Sequence, residues 1–304
     1  MPGVRRMYEI DFGVNLVKKI AFVTYAARRN LTEDDKYLAA ELERRGMLVE
    51  PVPWDSADVE WREFDAVILR STWNYYRAPD AFAKWISKLE ALGVNLWNSP
   101  DVVFWNMKKT YLRDLERADI SIPKTFWFEK QQPVDLAALL KKSGLEKIVV
   151  KPVISATAYQ TWLVSEEHVV EAQDKVNNLI ETADVLVQEF IAKINEVGEW
   201  SLMFFGGKFS HAVVKRPQEN DFRVQSEYGG SASPSEPPEE LIAQAHQVLQ
   251  KVDSPLLYAR VDGIFTENVF KLLELELVEP ELFFRTDRKA PERFAQVMVE
   301  NNII

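Results

Sequence analysis

The chain contains no cysteine. Disulfides, thiolate nucleophiles and cysteine-built zinc sites are therefore excluded, while the cellular compartment stays open. Histidine is scarce, with three in 304 residues. His168, His211 and His246 are far apart in sequence and suggest neither a metal cluster nor a triad. No nucleophile-elbow serine motif occurs, so covalent catalysis by the protein is not expected. A Walker-type loop and a glycine fingerprint after a strand are both missing, so any nucleotide is held another way. No apolar run approaches a membrane span. Residues 1–18, an N-terminal extension, carry Arg5, Arg6, Glu9, Asp11 and Lys18 rather than a signal-peptide core. A cytoplasmic location with no membrane partner is the expectation. Positive charge is in deficit, 37 Lys and Arg against 47 Asp and Glu, giving a net charge of −10. That balance argues against nucleic-acid binding but leaves room for a local basic patch.

Hydrophobic residues make up 47% of the chain, with nine tryptophans, which supports packed cores. The length allows two domains, or one with a large insertion. In the first third, strands at 20–25, 66–69 and 94–97 alternate with helices. One helix is capped by Thr32 and ended by Gly46; another, at 78–92, is ended by Gly93. Such alternation indicates an α/β unit with a parallel sheet. Ligands gather at the carboxyl ends of its strands. Residues 70–75 lie at one of them, which makes Arg70 and Trp73 candidates for holding a small carboxylate-bearing substrate. Asn98-Ser99-Pro100 reads as a boundary. Beyond it the pattern becomes α+β. A helix at 106–118 carries Lys108 and Lys109, and a strand at 148–150 runs into Lys151 and a small-residue loop at 154–158. Another strand covers 185–187, Gly206-Gly207 is a two-residue hairpin turn, and 231–238 reads as a loop.

The most informative stretch is 260–280. It reads as a hairpin with acidic groups inside apolar strands. Strand side chains alternate between faces, so Glu274 and Glu276 share one face and Leu273, Leu275 and Leu277 take the other. Two carboxylates about 7 Å apart on one face repel by roughly 2 kcal/mol at an effective dielectric of about 20. A three- or five-residue connection through Thr266, Glu267 and Asn268 puts Asp262 on the same face, and an odd register needs a bulge to do so. With Arg260 nearby, the three carboxylates suit one or two hard cations bridging to phosphate. The same pattern also fits a solvated sheet face.

The order of these motifs resembles the ATP-grasp superfamily of carboxylate–amine ligases over roughly residues 19–285. The stretch "NSPDVVFWNMKKTYL" is similar to that family's first lysine helix, and "IVVKPVISATAYQT" to its second lysine strand and phosphate loop. "VLVQEFI" resembles the adenine-reading hinge, "DFRVQSEYGGS" the flexible loop, and "ARVDGIF" with "LLELELVEP" the metal hairpin. Finer agreement at "RSTWNYY", "GEWSLMFF" and "ELELVEPELFF" resembles the branch with the cycloserine-biosynthesis enzyme, near bacterial glutathione synthetase and RimK-like ligases.

That resemblance implies a pre-ATP-grasp parallel-sheet domain at 19–100. An α+β ATP-grasp domain of two subdomains would follow, at 101–195 and 196–304. It implies ATP and Mg²⁺ or Mn²⁺ as cofactors, with Asp262, Glu274 and Glu276 as metal ligands. Lys109, Lys151 and Ser155 would meet the phosphates. Gln188, Glu189 and Ile191 would read adenine and Glu199 the ribose, while Arg260 and Arg223 would act on the phosphoryl or acyl group. The implied substrate is a small amino-acid-like molecule, and the family pattern allows a homodimer. The implied reaction forms an acylphosphate that an amine-type nucleophile attacks, releasing ADP and phosphate. A cyclising synthetase, a kinase and a non-catalytic nucleotide binder are the alternatives. Two departures stand out. The phosphate loop is rich in Ser, Ala and Thr where relatives use glycine, and Glu276 stands where many relatives carry Asn.

Overall fold

The structure is a computed structural model that describes residues 17–218, 223–224 and 228–304. Most of the expected N-terminal extension, and residues 219–222 and 225–227 of the expected closing loop, lie outside the described residues. Strands β1 (Lys19–Thr24), β2 (Leu48–Pro53), β3 (Ala66–Leu69) and β4 (Leu96–Trp97) form a parallel sheet in the order β2-β1-β3-β4. Pro51 and Pro53 obscure β2 in the sequence. The fold places it at the sheet edge, where missing N–H donors cost least. Helix α1 (Asp35–Arg44) opens where the Asp35 amide donates to Thr32 Oγ1 at 3.0 Å, and α2 (Pro79–Ala91) stops before Gly93 at φ +67°. From β1 the chain crosses to β2 on one side and then to β3 on the other. The strand order therefore reverses between β1 and β3, where a crevice opens outside their carboxyl ends.

The helix expected at 106–118 is two pieces, α3 (Pro100–Asn106) and α4 (Tyr111–Arg117). The break falls at Lys108-Lys109, where the Lys109 amide donates to Val153 O at 2.9 Å instead of continuing the helix. A second sheet runs antiparallel in the order β5-β8-β6-β7, from β5 (Thr125–Phe128), β6 (Lys147–Pro152), β7 (Trp162–Ser165) and β8 (Val185–Glu189). Helices α5 (Leu136–Ser143) and α6 (Val169–Ile180) cover it and close a core of their own around Ile148, Val150, Val176 and Val187.

The third sheet has the order β11-β10-β9-β12-β13. Its strands are β9 (Glu199–Phe205), β10 (Lys208–Arg216), β11 (Ser231–Pro234), β12 (Tyr258–Thr266) and β13 (Val269–Glu276). The expected loop at 231–238 thus begins as an edge strand: 231–234 pair with β10, and the prolines from Pro234 onward end the pairing. Helices α7 (Ile194–Val197), α8 (Glu239–Leu249) and α9 (Ala290–Glu300) complete the fold. One core crosses the sequence. Ile20, Phe22 and Leu38 of the first unit pack with Tyr258, Phe284, Phe294 and Met298.

Candidate active site

The β12–β13 hairpin sets the acidic face of the site. Its turn is the two-residue Glu267-Asn268, both left-handed at φ +54° and +61°, rather than a three- or five-residue loop. Near the turn Gly263 pairs with Leu272, but below it Asp262 pairs with Glu274 and Arg260 with Glu276. Leu273 is the extra residue of a β-bulge, which brings the acids back onto one face. The bulge also turns Leu273 into the cleft, whereas Leu272, Leu275 and Leu277 fill the core. The expected strict alternation therefore holds for Leu275 and Leu277 and fails at Leu273. Gly263 is required here, since a Cβ would lie 2.4 Å from Lys271 O.

The hairpin floors a cleft of about 1100 Å³. Lys109, Lys151, Ser155, Gln188, Glu189, Ile191, Glu199, Arg223, Arg260, Asp262, Glu274, Glu276 and Trp73 all line it. These residues come from elements spread over some 200 positions, and the fold gathers them around one space. Arg70 is the exception. It is 1% exposed, and its guanidinium donates to Asp35 at 2.8 Å and to Pro280 O at 3.2 Å. The expectation that Arg70 receives substrate is corrected: a buried carboxylate already neutralises it, and it faces the core.

Cations and acids alternate across the cleft floor. Asp262 accepts from Arg260 Nε at 3.0 Å and from Lys215 Nζ at 2.9 Å. Lys215 also reaches Glu199 at 2.6 Å, Arg260 pairs with Glu276, and Lys109 pairs with Glu274. Burial pushes the Asp262 carboxyl up, but Arg260 and Lys215 outweigh it and hold it at about 2. Burial works against the Lys215 charge too, yet Asp262 and Glu199 keep it above the usual lysine range. Lys151 is pulled down to about 8 by burial; Glu274 opposes the shift and Lys109 adds to it. Glu276 rises to about 7, chiefly through burial, which Arg260 only partly offsets against Glu274 and Asp262. Sequence reasoning missed Lys215. Its signal is a lysine ending the apolar run 212–214 on β10, a strand whose partner β9 carries Glu199 directly opposite.

At the far end β8 offers backbone. The Gln188 side chain donates to Thr125 Oγ1 at 3.1 Å, and the Glu189 carboxylate accepts from the Lys124 amide at 3.2 Å. Their side chains are thus tied away from the cleft. Ile191, Ile194, Val224, Ile264 and Leu273 form an apolar patch beside this edge, suited to a flat ring. The small-residue loop carries Thr157, Ala158 and Gln160 at φ +51°, +54° and +49°. Left-handed residues of this kind turn successive N–H groups toward a common anion. Tyr228 Oη donates to Thr157 O at 3.3 Å, and Arg223 stacks on the Tyr228 ring at 3.5 Å.

The near end is bounded by an irregular strap, 277–282, leaving β13. Every carbonyl along it is taken by a different side chain at 2.8–3.2 Å. In order, the donors are Asn98 Nδ2, Tyr258 Oη, Trp73 Nε1, Arg70 Nη2, Arg260 Nη1 and His211 Nε2. Burial lowers the His211 pKa, in keeping with a neutral ring donating through Nε2. His211 therefore anchors backbone and does not line the cleft. Trp73 serves both, lining the cleft while holding the strap.

A divalent cation fits the chemistry of the hairpin acids, which offer oxygen donors alone and, at Glu276, a carboxylate short of positive charge. Among the described residues no three acidic or imidazole groups converge tightly enough to chelate an ion unaided. Phosphate oxygens would have to complete the shell, as is usual for magnesium.

Comparison with known proteins finds similarity in both the first unit and the remainder of the chain. Residues 20–98 match the model for the N-terminal domain of D-cycloserine synthetase DcsG, and residues 107–279 match the RimK-like ATP-grasp domain. The cycloserine biosynthesis protein DcsG of Streptomyces lavendulae is 24% identical over 293 residues, covering 92% of this chain and 98% of that protein. The crystal structure of D-cycloserine synthetase DcsG superposes with a TM-score of 0.82 at 24% identity, over 93% of this chain and 99% of that one. D-alanine–D-alanine ligase from Bacillus anthracis complexed with ATP gives 0.67 at 15% identity, over 93% and 97%.

Proposed function

The chain belongs to the RimK-like ATP-grasp family, whose members are ATP-dependent ligases, and from that premise we propose that it activates a small-molecule carboxylate with ATP and Mg²⁺ for attack by an amine-type nucleophile. The observation carrying this reading is a cleft that joins a backbone edge, the cations Lys109, Lys151, Lys215 and Arg260, and the three hairpin acids. The base would lie on the apolar patch, with the Glu189–Ile191 backbone reading its edge and Glu199 meeting the ribose. Lys109, Lys151, Lys215 and Arg260 would spread over the phosphates and neutralise the charge that grows on the transferring phosphoryl. Asp262, Glu274 and Glu276 would hold the cation, which supplies charge neutralisation between the phosphates. A substrate carboxylate oxygen attacks the γ-phosphorus and ADP leaves. The amine then attacks the acyl carbon, giving an amide and free phosphate. Arg223, which lines the cleft, would cover the acyl group and exclude water.

The test is release of ADP and of free phosphate from Mg-ATP, with and without pools of amino acids and small dipeptides. A rise in both supports the ligase. ADP without free phosphate indicates a kinase and overturns it, and silence with every pool counts against it. One observation favours a cyclising variant, in which carboxylate and nitrogen belong to one molecule: the similarity to DcsG spans both the first unit and the ATP-binding part. A product lighter than a single substrate by one water, formed without a second amine, distinguishes that case.

A further inference from the structure

Among the described residues, the hairpin and strap acids have partners with one exception. Glu274 meets Lys109, Glu276 meets Arg260 and Glu281 meets Arg285, but no donor reaches the Glu279 carboxylate. Glu279 lines the cleft at the end walled by Trp73 and Tyr75. Its backbone could hardly be held more firmly. Its own carbonyl is bound by Trp73, and the flanking carbonyls by Tyr258 and Arg70. Glu279 is half-buried and its carboxylate opens to the cleft, so water meets it in the free protein and a ligand carrying N–H donors would take that water's place. Burial and the nearby Glu276 raise its pKa to about 8, against the pull of Lys109, so a cation brought beside it is what holds the carboxylate ionised at neutral pH. A group rich in N–H donors meets the need.

We propose that Glu279 is the receptor for the substrate's amino group, setting the enzyme's preference for amino acids over their hydroxy-acid counterparts. This rests on the ligase reading above and names its substrate class. Held by the strap, Glu279 fixes the nitrogen while the substrate carboxylate extends toward the cations of the floor. Tyr75, buried beside it, supplies an apolar wall that strengthens a charged contact.

The test is thermal shift of the full chain saturated with Mg²⁺ and a non-hydrolysable ATP analogue. The probes are a panel of L- and D-amino acids and the matching 2-hydroxy acids, which keep the carboxylate and lose the nitrogen. At least one amino acid should raise the Tm while its hydroxy acid does not. Glu279→Gln should weaken that response about tenfold or more, the scale of a charged hydrogen bond. Its affinity for the ATP analogue should match wild type, which also reports that the variant is folded. Glu279→Asp, which keeps the charge but shortens the reach, should fall between the two. An equal response to the hydroxy acid, an unchanged response in Glu279→Gln, or no amino-acid response in wild type each overturns the proposal. Failure of the wild-type protein to bind the ATP analogue instead overturns the ligase reading, so the two failures are distinct.

Discussion

Asp262 is 1% exposed and lies between Arg260 and Lys215, so neutralising it leaves Arg260 with Glu276 and Lys215 with Glu199 as their remaining acids. Asp262→Asn is expected to cost about 1.5–3 kcal/mol in denaturant unfolding. Glu274 faces the cleft with Lys109 as its ion partner. Glu274→Gln should cost about 1.5–3 kcal/mol, because the buried Lys109 loses its carboxylate partner, while lowering ADP release far more than stability. Wild-type-like turnover in a well-folded Glu274→Gln protein would remove Glu274 from the site. Lys151 makes a pH prediction. Its folded pKa is lowered from 10.5 to about 8, so the cost of its buried charge is present below about 8 and fades as pH rises toward 10.5. A bound phosphate favours the charged form, so affinity for the ATP analogue should fall as pH rises through about 8. Lys151→Arg, which stays charged, should flatten that profile; an unchanged slope would place Lys151 away from the phosphates.

At the scale of elements, the small-residue loop after β6 carries backbone strain. Ala158 sits at φ +54°, a left-handed conformation that costs a residue with a Cβ about 1–2 kcal/mol. Ala158→Gly relieves it, less the entropy added to the unfolded chain, and should raise stability by about 0.5–1 kcal/mol by chemical denaturation. A loss of stability would show that the loop relaxes out of this conformation. The loop's small residues were readable in sequence; its left-handed turns were not, because none falls on glycine. The acidic hairpin was readable from its alternation. Its bulge was not, because a two-residue turn and an extra Leu273 leave the same spacing between Asp262 and Glu274 as a longer turn without a bulge. The strap lies inside the motif "ELELVEPELFF", but the way it is held was not readable. It has no period, and its six donors come from positions 70 to 260.

For the whole molecule, the sequence boundary at Asn98 is a point of attachment. Asn98 is fully buried, accepts from the Leu257 amide at 2.8 Å and donates to Leu277 O at 2.8 Å. Composition marks where the pattern of elements changes and carries no information on what packs across the change. The first unit leaves Ile20, Phe22 and Leu38 to be covered by Phe284, Phe294 and Met298. A fragment of residues 17–100 is therefore expected to lack a cooperative thermal transition, while the full chain shows one. A cooperative transition in the fragment would show that its own sheet and helices suffice. The middle sheet has its own core, so the cleft lies between a block built from both ends of the chain and a separately packed layer.

Six side chains hold the strap through its main-chain carbonyls. None of the six bonds to carbonyls 277–282 depends on which side chain stands at 279. A single codon change there can alter what the cleft accepts without loosening the scaffold. A lineage with this architecture can explore new substrates one substitution at a time, with folding left intact at each step.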